Sequence, residues 1–168
     1  MSTRYKIRQK MFSIGDDFWI ENQEGDKVFK VDGKALRLRK TLIFEDLNGT
    51  KLARIQERLL AIKDTMVVED AEGNQLAVIK KGLIAPLGDH WSIVVRGGPD
   101  LDVQGNILDH EYSIMQRRNK IAEVSKKWLS LTDTYGVEID DEQNDILILA
   151  IAIAIDMMAH DDNEKKRK

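Results

Sequence analysis

Catalysis and metal binding need particular side chains at particular spacings, and this chain offers few. Its 168 residues include no cysteine and three histidines, His90, His110 and His160. Without cysteine there are no disulfides, thiolate zinc sites or thiol nucleophiles, which fits a reducing compartment. The histidines lack HxxxH or any comparable ligand spacing, so each reads as structural or solvated and no metal is expected. The acidic pairs Asp16-Asp17, Asp140-Asp141 and Asp161-Asp162 stand in turn-like or tail-like settings, where a solvated carboxylate is the default over general acid-base work. The GxSxG, GxxxxGKS and GxGxxG patterns are absent. Gly97-Gly98-Pro99-Asp100 suits a sharp connection between strands better than a phosphate cradle. The residues therefore predict neither an enzyme nor a cofactor.

One pattern of charge remains. Arg4, Lys6, Arg8 and Lys10 alternate with Tyr5, Ile7, Gln9 and Met11. In a strand alternate residues share a face, so the four cations line one outward side. Arg37 and Arg39 repeat the device beside Leu36 and Leu38, and Lys80-Lys81 and Lys126-Lys127 follow comparable segments. The default reading is a solvated strand face whose charge discourages aggregation. The functional alternative is contact with an anion. A net charge of -3 gives no reason to expect nucleic acid as the partner. Asp156 follows directly on an apolar run and is expected to be solvated at the mouth of whatever encloses that run. The alternative is burial against an Arg, a Lys or a Tyr hydroxyl, because a lone buried carboxylate is costly.

These residues must be positioned by regular elements, and the apolar run decides which. From Ile146 to Ile155 no residue is polar. As a helix the ten residues rise about 15 Å, half of a hydrocarbon core of about 30 Å. Seven Ile or Leu favour insertion by about 3.5 kcal/mol, but lengthening the span through Asp145 or Asp156 costs about 3 kcal/mol at its centre, so no transmembrane segment is expected. The Ile and Ala alternation from Ala150 to Ile155 resembles a strand, yet the run continues through Met157, Met158 and Ala159, longer than strands usually are. The preceding DDEQND offers caps and first-turn carboxylates. A helix over about residues 142–159 is the result, with large side chains pointing in every direction, so protein must enclose it.

The remaining sequence supplies the enclosure. Gly25, Gly49 and Gly73 recur every 24 residues (49 − 25 and 73 − 49), each inside an acidic or Asn-Gly turn followed by apolar alternation; these are hairpin signals. ARIQERLLAIKDTMVVE, from Ala53, aligns without gaps on AEVSKKWLSLTDTYGVE, from Ala122, and FKVDGKALRLRKTLIFE, from Phe29, follows the same template loosely. Ten to twelve strands fit between Arg4 and Ile139. Twelve strands about 4.8 Å apart and tilted about 40° give a diameter near 24 Å. A helix plus inward strand side chains needs a radius of about 10 to 11 Å. The sizes agree, and the expected fold is mainly β: a closed antiparallel barrel of about twelve strands around a hydrophobic C-terminal helix. Residues 1–160 form one domain in this reading and 161–168, DDNEKKRK, a charged disordered tail. The opening RYKIRQKMF is charged throughout, so no secretion signal is read and a cytoplasmic location is expected.

YKIRQKMFSIGDDFWIENQEG, LDVQGNILDHEYSI, IAEVSKKWLSLTDTYGVEI and ILAIAIAIDMM together resemble the LURP-one-related family, which is related to the Tubby C-terminal domain and the phospholipid scramblases. The likeness covers nearly the whole chain in order. It implies a twelve-stranded antiparallel barrel around a central C-terminal helix. It also implies that phosphoinositide or other anionic phospholipid headgroups at a membrane surface are conceivable partners, although no lipid-binding motif transfers residue by residue. The stripe Arg4, Lys6, Arg8, Lys10, Arg37 and Arg39 is therefore the candidate lipid site, with a protein-protein interaction or regulatory module as the alternative. A lipid-carrying barrel of the lipocalin kind is disfavoured, because the helix fills the lumen.

Overall fold

The computed structural model describes residues 1–8, 17–33, 41–58, 65–82, 84–85, 88–129 and 134–166. Thirteen strands precede one helix: β1 Ser2–Arg8, β2 Phe18–Asn22, β3 Lys27–Asp32, β4 Thr41–Glu45, β5 Lys51–Glu57, β6 Thr65–Asp70, β7 Gln75–Lys80, β8 Ile84–Ala85, β9 Gly88–Val95, β10 Leu101–Asn106, β11 Glu111–Gln116, β12 Asn119–Ser125, β13 Thr134–Asp140 and α1 Asp145–Lys166. All pairings are antiparallel. β1 joins β13, β7 joins β9 and β9 joins β10, so twelve strands close into a barrel while the two-residue β8 pairs with β9 alone.

The hairpins show how local chemistry sets register. At the β2–β3, β4–β5 and β6–β7 turns, an Asn or Asp side chain accepts from the backbone N–H four residues on: Asn22 from Asp26, Asp46 from Thr50 and Asp70 from Asn74. Gly25, Gly49 and Gly73 then take φ of 92°, 82° and 89°, a left-handed conformation natural to glycine. Just before each turn the ladder shifts register, at Ile20/Glu21, Phe44/Glu45 and Val68/Glu69. The 24-residue period is thus a repeated Asx turn with its bulge. The longer repeat holds as well, since Val31↔Phe44, Ile55↔Val68 and Val124↔Val137 are pairs at one register in the three aligned segments.

Strand alternation sorts side chains between lumen and solvent. Ile7, Ile20, Phe44, Ile55, Ile79, Ile93, Ile114 and Val137 point inward and are fully buried. So are Leu149 to Ile155 on α1, Ile and Ala alike, as an enclosed helix requires. The helix begins at Asp145, three residues later than the sequence suggests, because Asn144 caps it: its Oδ1 accepts from Leu147 N–H at 3.1 Å. It also runs on to Lys166, into the segment expected to be a disordered tail. Asp145 accepts from the Tyr5 hydroxyl at 2.5 Å, fixing that helix end to β1.

Burying about six large apolar side chains at about 2 kcal/mol each stabilises by about 12 kcal/mol, comparable with the whole net stability of an ordinary domain. A chain ending before Asp145 is therefore expected to be unfolded or aggregated. Differential scanning calorimetry checks this; a cooperative melt near the full-length temperature would refute the helix's role as the core.

Candidate functional site

The charged stripe and the buried acid are separate regions. On the outer wall, Arg4 is exposed and Lys6 half-buried, on the face opposite buried Tyr5 and Ile7. Arg8 closes β1 opposite Thr134, whereas Lys10, Arg37 and Arg39 lie outside the described residues. The pairing of β1 with β13 sets Arg4 directly across from Glu138, and the two form an ion pair. The guanidinium holds the Glu138 carboxyl below the usual carboxylate range. It also lies 4.8 Å from the Trp128 ring centroid, a cation–π distance. Lys6 stands across from Glu21, and Glu21 across from Lys27. Farther round, Lys30 pairs with Asp17 at 3.1 Å and Arg54 with Glu69 at 2.7 Å. Around these pairs the wall is a mesh of both signs, interrupted outside β6, β7 and β9 by Val67, Val78 and Val94 in cross-strand register; a membrane barrel instead carries a continuous apolar belt. No described helix is long and apolar enough to cross a membrane.

Trp128 reaches this wall because β13 lacks a side chain at Gly136, where an added Cβ would come within 2.8 Å of the indole. The aligned segment has Val67 at that place. Outside β2, Trp19 is flanked by Lys27 and Lys30, with Nζ 4.8 and 6.0 Å from its ring centroid.

The second region lies inside the barrel, toward the end opposite the first turn of α1. Asp156 is 6% exposed, so the solvated reading gives way to the buried one. Met157, Met158 and Ala159 beyond it are buried too, which places the carboxylate about 16 Å along the helix and short of the mouth. A partner from a strand is present, the Tyr135 hydroxyl, which donates to Oδ2 at 3.2 Å. A second partner, His110 Nε2, lies 2.7 Å from Oδ1. Against a carboxylate, which only accepts, Nε2 carries the hydrogen, an assignment made by the network. His110 sits in the β10–β11 turn with φ 53°, 4% exposed, its ring stacked on Tyr135 at 4.5 Å between centroids. Tyr112 on β11 faces the same carboxylate, and its hydroxyl and His110 Nδ1 have no hydrogen-bond partner among the described residues. Burial first, then the Asp156 charge, pushes the phenols of Tyr112 and Tyr135 well above their ordinary range. Both therefore remain hydroxyls. Burial and the Asp145 bond raise Tyr5 likewise.

This cluster is an acid braced by an imidazole and a phenol, but no Ser, Thr or Lys nucleophile accompanies it in the contacts observed. Among the described residues no group of three or more His, Asp or Glu could hold a metal. His90, by contrast, is exposed on β9. The signal for the buried site was in the sequence: Asp156 is followed by three apolar residues, so the apolar run does not end at it.

The family model described as LURP-one-related matches residues 3–156. An uncharacterized protein of Bacillus subtilis (strain 168), YxjI, is 28% identical over 159 residues, covering 95% of each chain. The X-ray structure of a protein from Arabidopsis thaliana superposes with a TM-score of 0.66 at 16% identity, covering 96% of this chain and 91% of that one; it has the same fold.

All three tyrosines of the chain are buried, which sets an alkaline limit. Their folded pKa values are raised, so the associated stability is complete below about pH 10, where unfolded phenols begin to ionise. It is lost as the pH rises further, by about 1.4 kcal/mol per pH unit for each phenol that only the unfolded chain ionises. Absorbance at 295 nm should show no phenolate near pH 10.5 in the folded protein and three phenolates on unfolding. A native titration near pH 10 would contradict the burial of these rings.

Proposed function

This chain belongs to the LURP-one-related family, and from that premise we propose that it is a Tubby-like binding module without catalysis, meeting anionic phospholipid weakly at the cytoplasmic face of a membrane. The observation that carries the reading is that the lumen is filled by α1, which leaves the outer wall and the ends of the barrel to bind a partner. On that wall Arg4 and Lys6 project from one strand, with Trp128 beside Arg4, an aromatic of the kind enriched at membrane interfaces. Arg8, Lys10, Arg37 and Arg39 complete the proposed stripe. Each cation near an anionic surface contributes about 1 kcal/mol. Glu138 and Glu21 compete for Arg4 and Lys6, so the binding is weak and acts over a Debye length of about 8 Å at physiological ionic strength.

A second reading rests on that same competition. Charges of both signs in cross-strand register, as in Arg4–Glu138 and Arg54–Glu69, suit a protein partner of alternating charge better than a uniformly anionic surface.

Co-sedimentation with vesicles separates the two. Wild type should pellet with phosphatidylserine or phosphoinositide vesicles at low salt, be released at high salt, and ignore neutral vesicles. Replacing Arg4, Lys6, Arg8 and Lys10 together by Ser should abolish pelleting. If wild type ignores anionic vesicles at low salt, or the quadruple variant pellets equally, the stripe is a solvated face and the protein-partner reading replaces this one.

A further inference from the structure

The helix inside the barrel has a hidden symmetry. From Ala150 to Ile155 it reads Ala-Ile-Ala-Ile-Ala-Ile. A screw motion of two residues, about 3 Å along the axis and about 200° around it, carries the helix backbone onto itself. The same motion carries Leu147 onto Leu149, Leu149 onto Ile151, Ile151 onto Ile153, Ile153 onto Ile155 and Ile155 onto Met157. Ala150 and Ala152 likewise land on Ala152 and Ala154. Large replaces large and small replaces small, against a wall built mainly of aliphatic residues such as Ile7, Ile55, Ile93 and Val137. The four residues between β13 and α1 reach far enough to absorb the displacement of each helix Cα, about 5 Å once the rotation is added to the rise. At the rim, Asp145 is only part-buried, so water can take the place of its bond to Tyr5.

Three positions break the equivalence. Ile148 would arrive where Ala150 sits, Met157 would arrive where Ala159 sits, and Asp156 would leave His110 and Tyr135 for the place of Met158. In the slipped seat Ala154 would face the imidazole and the phenol, and the buried carboxylate would lose both observed donors, at 2.7 and 3.2 Å. Water does not readily replace these bonds at a site where His110 is 4% and Asp156 6% exposed. Polar groups buried in apolar packing are known to select register at a cost in stability.

We propose that the Asp156–His110–Tyr135 cluster is a conformational lock, whose hydrogen bonds select one axial seat for α1 among screw-related seats that apolar packing distinguishes only around Ala150 and Ala159. The lock supplies uniqueness, and the apolar surface supplies the stability. It joins three elements, α1, β13 and the β10–β11 turn, so the far end of the helix is seated only when all three are in place.

The test is a triple variant, D156L/H110F/Y135F, in the full chain, compared with wild type and D156N. Phe at position 110 keeps the ring stacked on position 135, and the three changes remove all the bonding groups together, leaving no orphan among them. Isoleucine methyl spectra report the seat, with distances from a nitroxide on a single cysteine placed at Leu47, an exposed turn residue in a chain that has no other cysteine. Wild type and D156N should give one methyl signal each for Ile151, Ile153 and Ile155, since Asn keeps a hydrogen-bonding atom in both places. The triple variant should stay cooperatively folded and split these signals into two or more sets, broadened differently by the nitroxide. A single set at the wild-type distances in the triple variant would overturn the lock. A triple variant that fails to fold would overturn it too, because the cluster would then supply stability. Splitting in D156N would contradict selection by hydrogen bonds.

Discussion

A helix with isoleucine and leucine on every side cannot face water, and this one is too short in its apolar part to face lipid. Enclosure by protein is the condition on which the rest of the structure depends. A helix together with inward side chains sets an inner radius of about 10 to 11 Å, and that radius sets the strand number near twelve. Closure between β9 and β10 and between β1 and β13 then leaves the barrel no free edge. The lumen so closed is occupied by α1 from Ile148 to Ala159, every residue of that run buried.

The polar groups divide along the same line. Outside, charges meet across strands, exposed at Arg4–Glu138 and part-buried at Arg54–Glu69, and an exposed pair contributes little to stability. Inside, Asp156 would be untenable alone. The imidazole of His110 and the phenol of Tyr135 make it tolerable, and Tyr135 remains a donor because burial and the neighbouring charge keep its proton on. His110 adopts a left-handed backbone to deliver its ring there, at a conformational cost of order 1 kcal/mol. A group held at such cost inside a core is set by position more than by net stabilisation.

Much of this architecture was legible because it is local. The Asx-Gly turns at 24-residue intervals determine the hairpins, and alternation within each strand determines which face is buried, so Ile7 and Tyr5 could be placed inward and Arg4 and Lys6 outward from sequence. The enclosed helix was legible from the apolar run Ile146–Ile155 together with its continuation through Ala159 and the capping residues of DDEQND before it. What could not be read depends on partners far along the chain. Glu138 neutralises Arg4 across 134 residues, because the first strand pairs with the last. His110 meets Asp156 across 46, through a turn whose geometry no motif announces. Trp128 folds onto the outer wall because Gly136 clears the space. The helix start was missed by three residues because Asn144 outcompeted the other candidate caps in DDEQND, a choice made by the path of the chain leaving β13.

As the core of the barrel, α1 opens only when the barrel does. Native-state amide hydrogen exchange measures this residue by residue. The amides of Ile148 to Ile155 should be the slowest in the protein, exchanging with the same free energy and denaturant dependence as the inward-facing strand residues Ile55, Val68 and Val137, and so only through global unfolding. If the helix amides exchange through a smaller opening while those strands stay protected, the helix is a separable insert and the barrel stands without it.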